Sequence, residues 1–172
     1  MKPQTEIFVK ATLVSLALLA PVTLLGADSN PDASFYKKAA EGGMAEVELG
    51  TLAGQKSTSA SVKDFAAMMV KDHTAANDKL KALAASKNVD LPTSPSMGQM
   101  ATKLKLQALS GNTFDQSYIK TMIEDHEEDI KEFKTEAASG RDPEAKAYAA
   151  ATLPTLQAHL KKIRSIAANA GA

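Results

Sequence analysis

The chain uses histidine three times, at His73, His126 and His159. Two of the three close matching pentads, Met69-Val70-Lys71-Asp72-His73 and Met122-Ile123-Glu124-Asp125-His126. In each, a methionine precedes the histidine by one helical turn and an aspartate stands just ahead of it. All three histidines fall on otherwise apolar stripes at helical spacing, and Glu46 does the same on a fourth stripe. Three imidazoles and a carboxylate are a donor set for a transition metal ion: zinc, iron, manganese or copper. The bland reading of any one of them is a hydrogen-bonded core histidine, or a Glu46 paired with Lys or Arg. Recurrence on four separate stripes favours a shared site, because a buried, unpaired carboxylate costs several kcal/mol that a metal ion or a protonated histidine offsets.

The neighbours of these residues admit two readings each. Met69 and Met122 share the histidines' face, and thioether with imidazole suits Cu(I), although filling irregular core gaps is the simpler role. Asp72 and Asp125 sit about 100° off the stripe, placed either to hold a neighbouring helix's imidazole or to face solvent. Glu124, Glu127, Glu128 and Asp129 read as a wet acidic face with Lys131 and Lys134 nearby.

Abundant alanine, few aromatics, no tryptophan, and glycine and proline gathered at segment ends favour an all-α chain. The expected first helix runs over 34–54, with Phe35, Ala39, Gly42, Glu46, Leu49 and Ala53 inward and Glu41, Glu48 and Gln55 on a polar face. Asn30-Pro31-Asp32 is its opening, and Gly42 and Gly43 leave room for a neighbour to approach. Ser59 caps a second helix to Lys87, with the stripe Val62, Ala66, Met69, His73, Ala76, Leu80, Leu83. An extended segment with Pro92 and Pro95 leads to a short helix whose apolar side is Met97, Met100, Ala101, Leu104 and Ala108. Thr113-Phe114-Asp115-Gln116 fits a capping box for the third long helix, whose stripe is Ile119, Met122, His126, Ile130, Phe133, Ala137. Gly140 supplies its left-handed terminus. Asp142-Pro143 opens the fourth, with Ala145, Ala149, Thr152, Leu156, His159, Ile163, Ile166 inward and Pro154 as an expected kink. Val62 to Ala67 and Ala145 to Ala150 form a faint internal repeat.

Two hairpins joined by a long crossover carrying a short extra helix give a ferritin-like four-helix bundle. Level along that bundle is decisive. His73 and Glu46 lie at distances from the first turn that differ by about four residues, and so do His126 and His159 about the second. At the helical rise this mismatch is ~6 Å, within the reach of two side chains.

The formal charge of zero, with both signs interspersed, gives no reason to expect a nucleic-acid partner. The chain has no cysteine, which excludes disulfides, thiolate zinc sites and thiol chemistry. Residues 1–27 read as a signal peptide: Lys2 and Lys10 flank the start, Ala11 to Leu25 are apolar, and Leu25-Gly26-Ala27 offers a cleavage site before Asp28. Pro21 interrupts the apolar run, which falls short of a spanning helix. Cleavage leaves residues 28–172 as one periplasmic or secreted domain with no stable membrane span; an uncleaved anchor is the alternative.

With those residues in view, the chain resembles the domain-of-unknown-function 4142 family of secreted bacterial proteins. The matching segments are Glu41-Gly42-Gly43-Met44-Ala45-Glu46-Val47-Glu48-Leu49-Gly50, Met69 to His73, Ile123 to His126, and Leu153-Pro154-Thr155-Leu156-Gln157-Ala158-His159. The resemblance implies a ferritin-like fold and an exported protein, often assigned to the membrane, and it supplies no reaction. Di-iron ferritins carry Glu-x-x-His on two helices. Here Val70, Ile123 and Leu156 hold the position three before each histidine, so a histidine-rich mononuclear site fits the pattern better than a di-iron centre. Three functions remain open: an exported metal-binding protein for buffering or stress protection, a small metal-dependent redox enzyme, and a metal-free structural or adaptor bundle of the envelope.

Overall fold

The computed structural model describes residues 30–170; the expected leader lies outside the described residues. Five helices occupy them: α1 (Ala33–Lys56), α2 (Ala60–Ser86), α3 (Met97–Gln107), α4 (Gly111–Ser139) and α5 (Pro143–Ala170). α1 packs against α2 and α4, and α5 against the same two, so the four long helices form a square bundle. Phe35 meets Phe133 near one end, and Glu46 meets His126 further along, so α1 and α4 run antiparallel. Tyr148 bonds the Ala76 carbonyl and His159 bonds Asp72, so α2 and α5 do the same. Residues 87–110 must therefore travel the length of the bundle, which is the ferritin-like connectivity of two hairpins and a crossover.

The inward stripes close into two apolar clusters. One gathers Leu49, Phe65, Met69, Tyr118, Met122 and Ile163. The other gathers Phe35, Leu80, Ile130, Phe133, Ala149 and Leu156. Glu46, His73, His126 and His159 belong to neither and lie at the levels between them.

Several local expectations are corrected by the structure. Thr113 lies inside α4, which opens at Ser110 without a side-chain cap, and Asp115 instead accepts from the Thr58 hydroxyl and amide across the α1–α2 turn. The capping box forms at Ser96 and Gln99, at the start of α3. Asp32 makes no cap bond to α1; its carboxylate accepts from the Arg141 and Asp142 amides and ties the chain's entry to the α4–α5 turn. Gly140 is not left-handed (φ −55°); Asn88 and Gly111 are, at φ 54° and 57°. Pro154 lies inside α5, where the sequence placed it. The expected apolar side of α3 faces outward, with Met97 and Leu104 exposed, because Leu106 is its buried anchor and a Lys103–Glu48 pair at 2.9 Å fixes it on α1.

Candidate metal centre

Each long helix sends one polar side chain to the layer between the two apolar clusters. Exposure there is 1% for Glu46, 5% for His73, 0% for His126 and 2% for His159, so water does not solvate these groups. The three imidazoles each offer one nitrogen, and the three nitrogens lie within 4.8 Å of one another. Glu46 stands behind them: one carboxylate oxygen is 2.7 Å from His73 Nδ1 and the other is 3.2 Å from His126 Nδ1. The 2.7 Å contact is short enough to require a shared hydrogen, yet its approach is bent, and both oxygens lack a well-directed hydrogen bond.

What stands behind each ring fixes where its hydrogen must be. His126 Nδ1 lies 2.8 Å from the Met122 carbonyl, which can only accept, so that nitrogen carries the hydrogen. His159 Nε2 donates to the Asp72 carboxylate at 3.0 Å, and His73 Nδ1 donates to Glu46. In the neutral rings the remaining nitrogens then all present lone pairs. Two of these, His126 Nε2 and His159 Nδ1, face each other at 3.3 Å, and the third, His73 Nε2, is buried with no partner at all. Opposed lone pairs repel, and an unmet buried acceptor is costly. A cation among the three nitrogens removes both penalties, with Glu46, Asp72 and the Met122 carbonyl orienting the rings from outside. The residues present therefore fit a metal ion.

The protonation tendencies agree. Burial pushes His126 and His159 below the ordinary imidazole range, towards the neutral form that ligates; Glu46 opposes this at His126, and Asp72 at His159. At His73 burial acts in the same sense, but the Glu46 carboxylate overrides it and holds the ring above its ordinary value. Burial would raise Glu46, yet the charges of His73 and His126 hold it below the carboxylate range.

Asp72 holds an imidazole of α5; Asp125 holds none and lies half-buried on the other side of α4. There it joins Glu41, Glu46, Glu128, Asp129 and Glu132, with Lys38 beside them, around a cleft of about 310 Å³ between α1, α3 and α4. Burial, with Glu46 and neighbouring acids adding to it, pushes Asp125 up to about 7 and Asp129 well above the carboxylate range. The acidic run read as a uniform wet face is thus divided: Glu124 and Glu127 look out from α4, and Glu128 and Asp129 line the cleft. The spacing of Asp125, Glu128, Asp129 and Glu132, three and four apart, was the available signal for one face.

Comparison with known proteins places the chain among helical bundles. The family model described as a domain of unknown function (DUF4142) matches residues 21–166. A protein of Streptomyces coelicolor described as secreted, DUF305, superposes with a TM-score of 0.70 at 17% identity, covering 82% of this chain and 92% of that one. A DUF305 fragment from Deinococcus radiodurans gives 0.70 at 14% identity, covering 80% and 95%. CopM in its Cu(II)-bound form gives 0.65 at 18% identity, covering 80% and 96%. No curated protein matches the sequence. Among the described residues, no helix is long and apolar enough to cross a membrane.

Proposed function

The chain belongs to the DUF4142 family, whose description assigns no reaction, and on that premise we propose that it is an exported metal-binding bundle. In this reading His73, His126 and His159 hold a transition metal ion, and Glu46, expected as a fourth donor, serves instead as the buried carboxylate behind His73 and His126. The role is metal buffering or protection against metal stress. The observation that carries the reading is the meeting of three imidazole nitrogens that have acceptors behind them and lone pairs between them. Export is supported by the apolar leader and by the description of the Streptomyces neighbour as secreted. Copper is the first ion to try, because CopM is a copper-bound bundle of this fold and imidazole suits copper as well as zinc.

The test is elemental analysis of protein grown and dialysed with copper, zinc, iron and manganese in turn. About one ion per chain is expected, and His73→Ala should lower its affinity about 100-fold or more. Finding no ion under any of the four conditions removes the reading. Metal-dependent turnover of peroxide or superoxide would extend it to a redox enzyme, which needs a redox-active ion and an open coordination position.

A second reading has its own observation. The 2.7 Å contact between Glu46 and His73 is already an ion pair when His73 is protonated, and a proton shared by His126 and His159 would satisfy the other two rings. The site would then be a metal-free polar network inside a structural bundle. Thermal stability unchanged by chelation and by added metal is the result that selects it.

A further inference from the structure

α3 turns a complete apolar stripe towards solvent. Met97, Ala101, Leu104 and Ala108 recur at i, i+4, i+7 and i+11, one face of a helix over three turns. All four are exposed, Met97 by 80% and Leu104 by 66%, while Leu106 on the opposite side anchors the helix to the bundle. Apolar residues scattered singly on a surface are ordinary; a contiguous stripe of them marks an interaction surface.

The order of sizes along the stripe says what fits it. It reads large, small, large, small. In an antiparallel pair of α3 helices centred between Thr102 and Lys103, Met97 meets the second copy's Ala108 and Leu104 meets the second copy's Ala101. Each large side chain then lies on a small one, and a two-fold axis makes every such contact twice.

Charge follows the same symmetry. α3 carries lysine at 103 and 105 and no acid. Lys103 is held by Glu48 at 2.9 Å, but Lys105 is exposed and has no acidic partner among the described residues. Gly98, Thr102 and Lys105 share one flank of α3, at i, i+4 and i+7, and Gly98 and Thr102 border the acidic cleft. Among the acids there, Glu132 is paired with Lys38, whereas Glu41 and the exposed Glu128 have no cationic partner among the described residues. A two-fold axis lays like flanks side by side, so Lys105 of each copy falls between the levels of Thr102 and Gly98 of the other, at the mouth of the cleft. An anionic membrane surface would accept the stripe and the lysine but would be repelled by these same carboxylates; a second copy uses both signs.

We propose that α3 is the contact of a two-fold dimer of this chain, its stripe packed antiparallel on itself and Lys105 of each copy paired with Glu41 and Glu128 of the other. An eleven-residue helix covers less than the roughly 800 Å² per partner of a standard interface, so the dimer forms and dissociates with concentration.

The experiment is sedimentation velocity of the protein from about 5 to about 500 μM, a range in which wild type should pass from monomer to dimer. Leu104→Lys, which leaves the Leu106 anchor in place, should stay monomeric throughout. Lys105→Glu should raise the dissociation constant about tenfold, because symmetry breaks each ion pair twice, and Lys105→Glu/Glu128→Lys should recover most of that loss. The chain has no cysteine, so a single introduced thiol reads the register. Mild oxidation should link Ala101→Cys, whose two copies lie ~4.5 Å apart along the helix axis, and should not link Ala108→Cys, whose copies lie ~16 Å apart. Wild type that stays monomeric at every concentration would overturn the dimer. Self-association unchanged in Leu104→Lys would overturn the role of α3, and linkage at position 108 in preference to 101 would overturn the antiparallel register. A monomer that instead floats with phosphatidylglycerol vesicles would give the stripe to lipid and overturn the proposal as well.

Discussion

At the scale of single residues, the behaviour of the metal-free centre follows from the sign of each histidine's shift. His73 is raised by Glu46, so its contribution to stability is complete below the ordinary imidazole value near 6.5 and is lost as pH climbs through its folded value. His126 and His159 are lowered by burial, so theirs is present above that value and is lost as pH falls. Glu46, lowered by His73 and His126 in spite of its burial, loses its contribution only in stronger acid. Thermal melts of metal-free protein should therefore fall off towards alkali in wild type, and His73→Gln should flatten that limb while leaving the acid limb. An unchanged alkaline limb in the variant would remove the charged Glu46–His73 pair from the account. Behind His159, Asp72→Ala leaves Nε2 without its acceptor and should weaken metal binding about 10–100-fold, read by competition against a chelator. The sequence placed all four inward residues correctly, because period and apolar context decide which way a helical side chain points. It left Asp72 and Asp125 equivalent, since a side chain 100° off a stripe meets whichever helix lies beside it, and only the packing of α2 on α5 separates them.

Helices and their ends tell a similar story one level up. The long helices were legible because each carries its own stripe and is bounded by Ser, Pro or Gly; their ends fall within about two residues of expectation. Caps were less legible, because Asp32 found better partners on the α4–α5 turn and α4 starts ahead of Thr113, a choice set by the bundle rather than by local sequence. α3 shows the same limit: eleven residues with apolar side chains on two sides cannot say which side is covered, and one leucine, Leu106, settles it. The close approach of α1 to α2 falls at one member of the obvious glycine pair, Gly43, where a Cβ would run into the Asn77 side chain, and again at Gly50, but not at Gly42. At Gly42 a methyl group fits, whereas at Gly50 it would stand 2.9 Å from the Ala66 carbonyl oxygen and 3.1 Å from Val70 Cγ2. Gly42→Ala should thus stabilise by about 0.5–1 kcal/mol through helix propensity. Gly50→Ala should destabilise by about 1–3 kcal/mol, because the backbone of α2 cannot step aside cheaply. Paired denaturant titrations check this, and equal effects of the two substitutions would contradict the packing described.

The whole molecule is two apolar cores with a polar layer between them and an acidic cleft leading out of that layer. Such an arrangement is expensive for a metal-free bundle: Asp125 is pushed up to about 7 and Asp129 well above the carboxylate range, mainly by burial and then by Glu46 and neighbouring acids. An acid whose folded value is raised binds more protons when folded, so its contribution is full below about 4 and is lost as pH rises towards 7. At neutral pH these two residues work against folding. Replacing both with asparagine should raise the melting temperature of metal-free protein at pH 7 by about 3–6 °C, equivalent to about 1–2 kcal/mol once partial solvent access is allowed for. The same replacement should make no difference at pH 4, where the acids are protonated in the folded chain. If the pair does not stabilise at pH 7, the carboxylates are better solvated than their burial implies. Melts of wild type and the Asn pair at pH 7 and pH 4, on the same preparations, separate these outcomes.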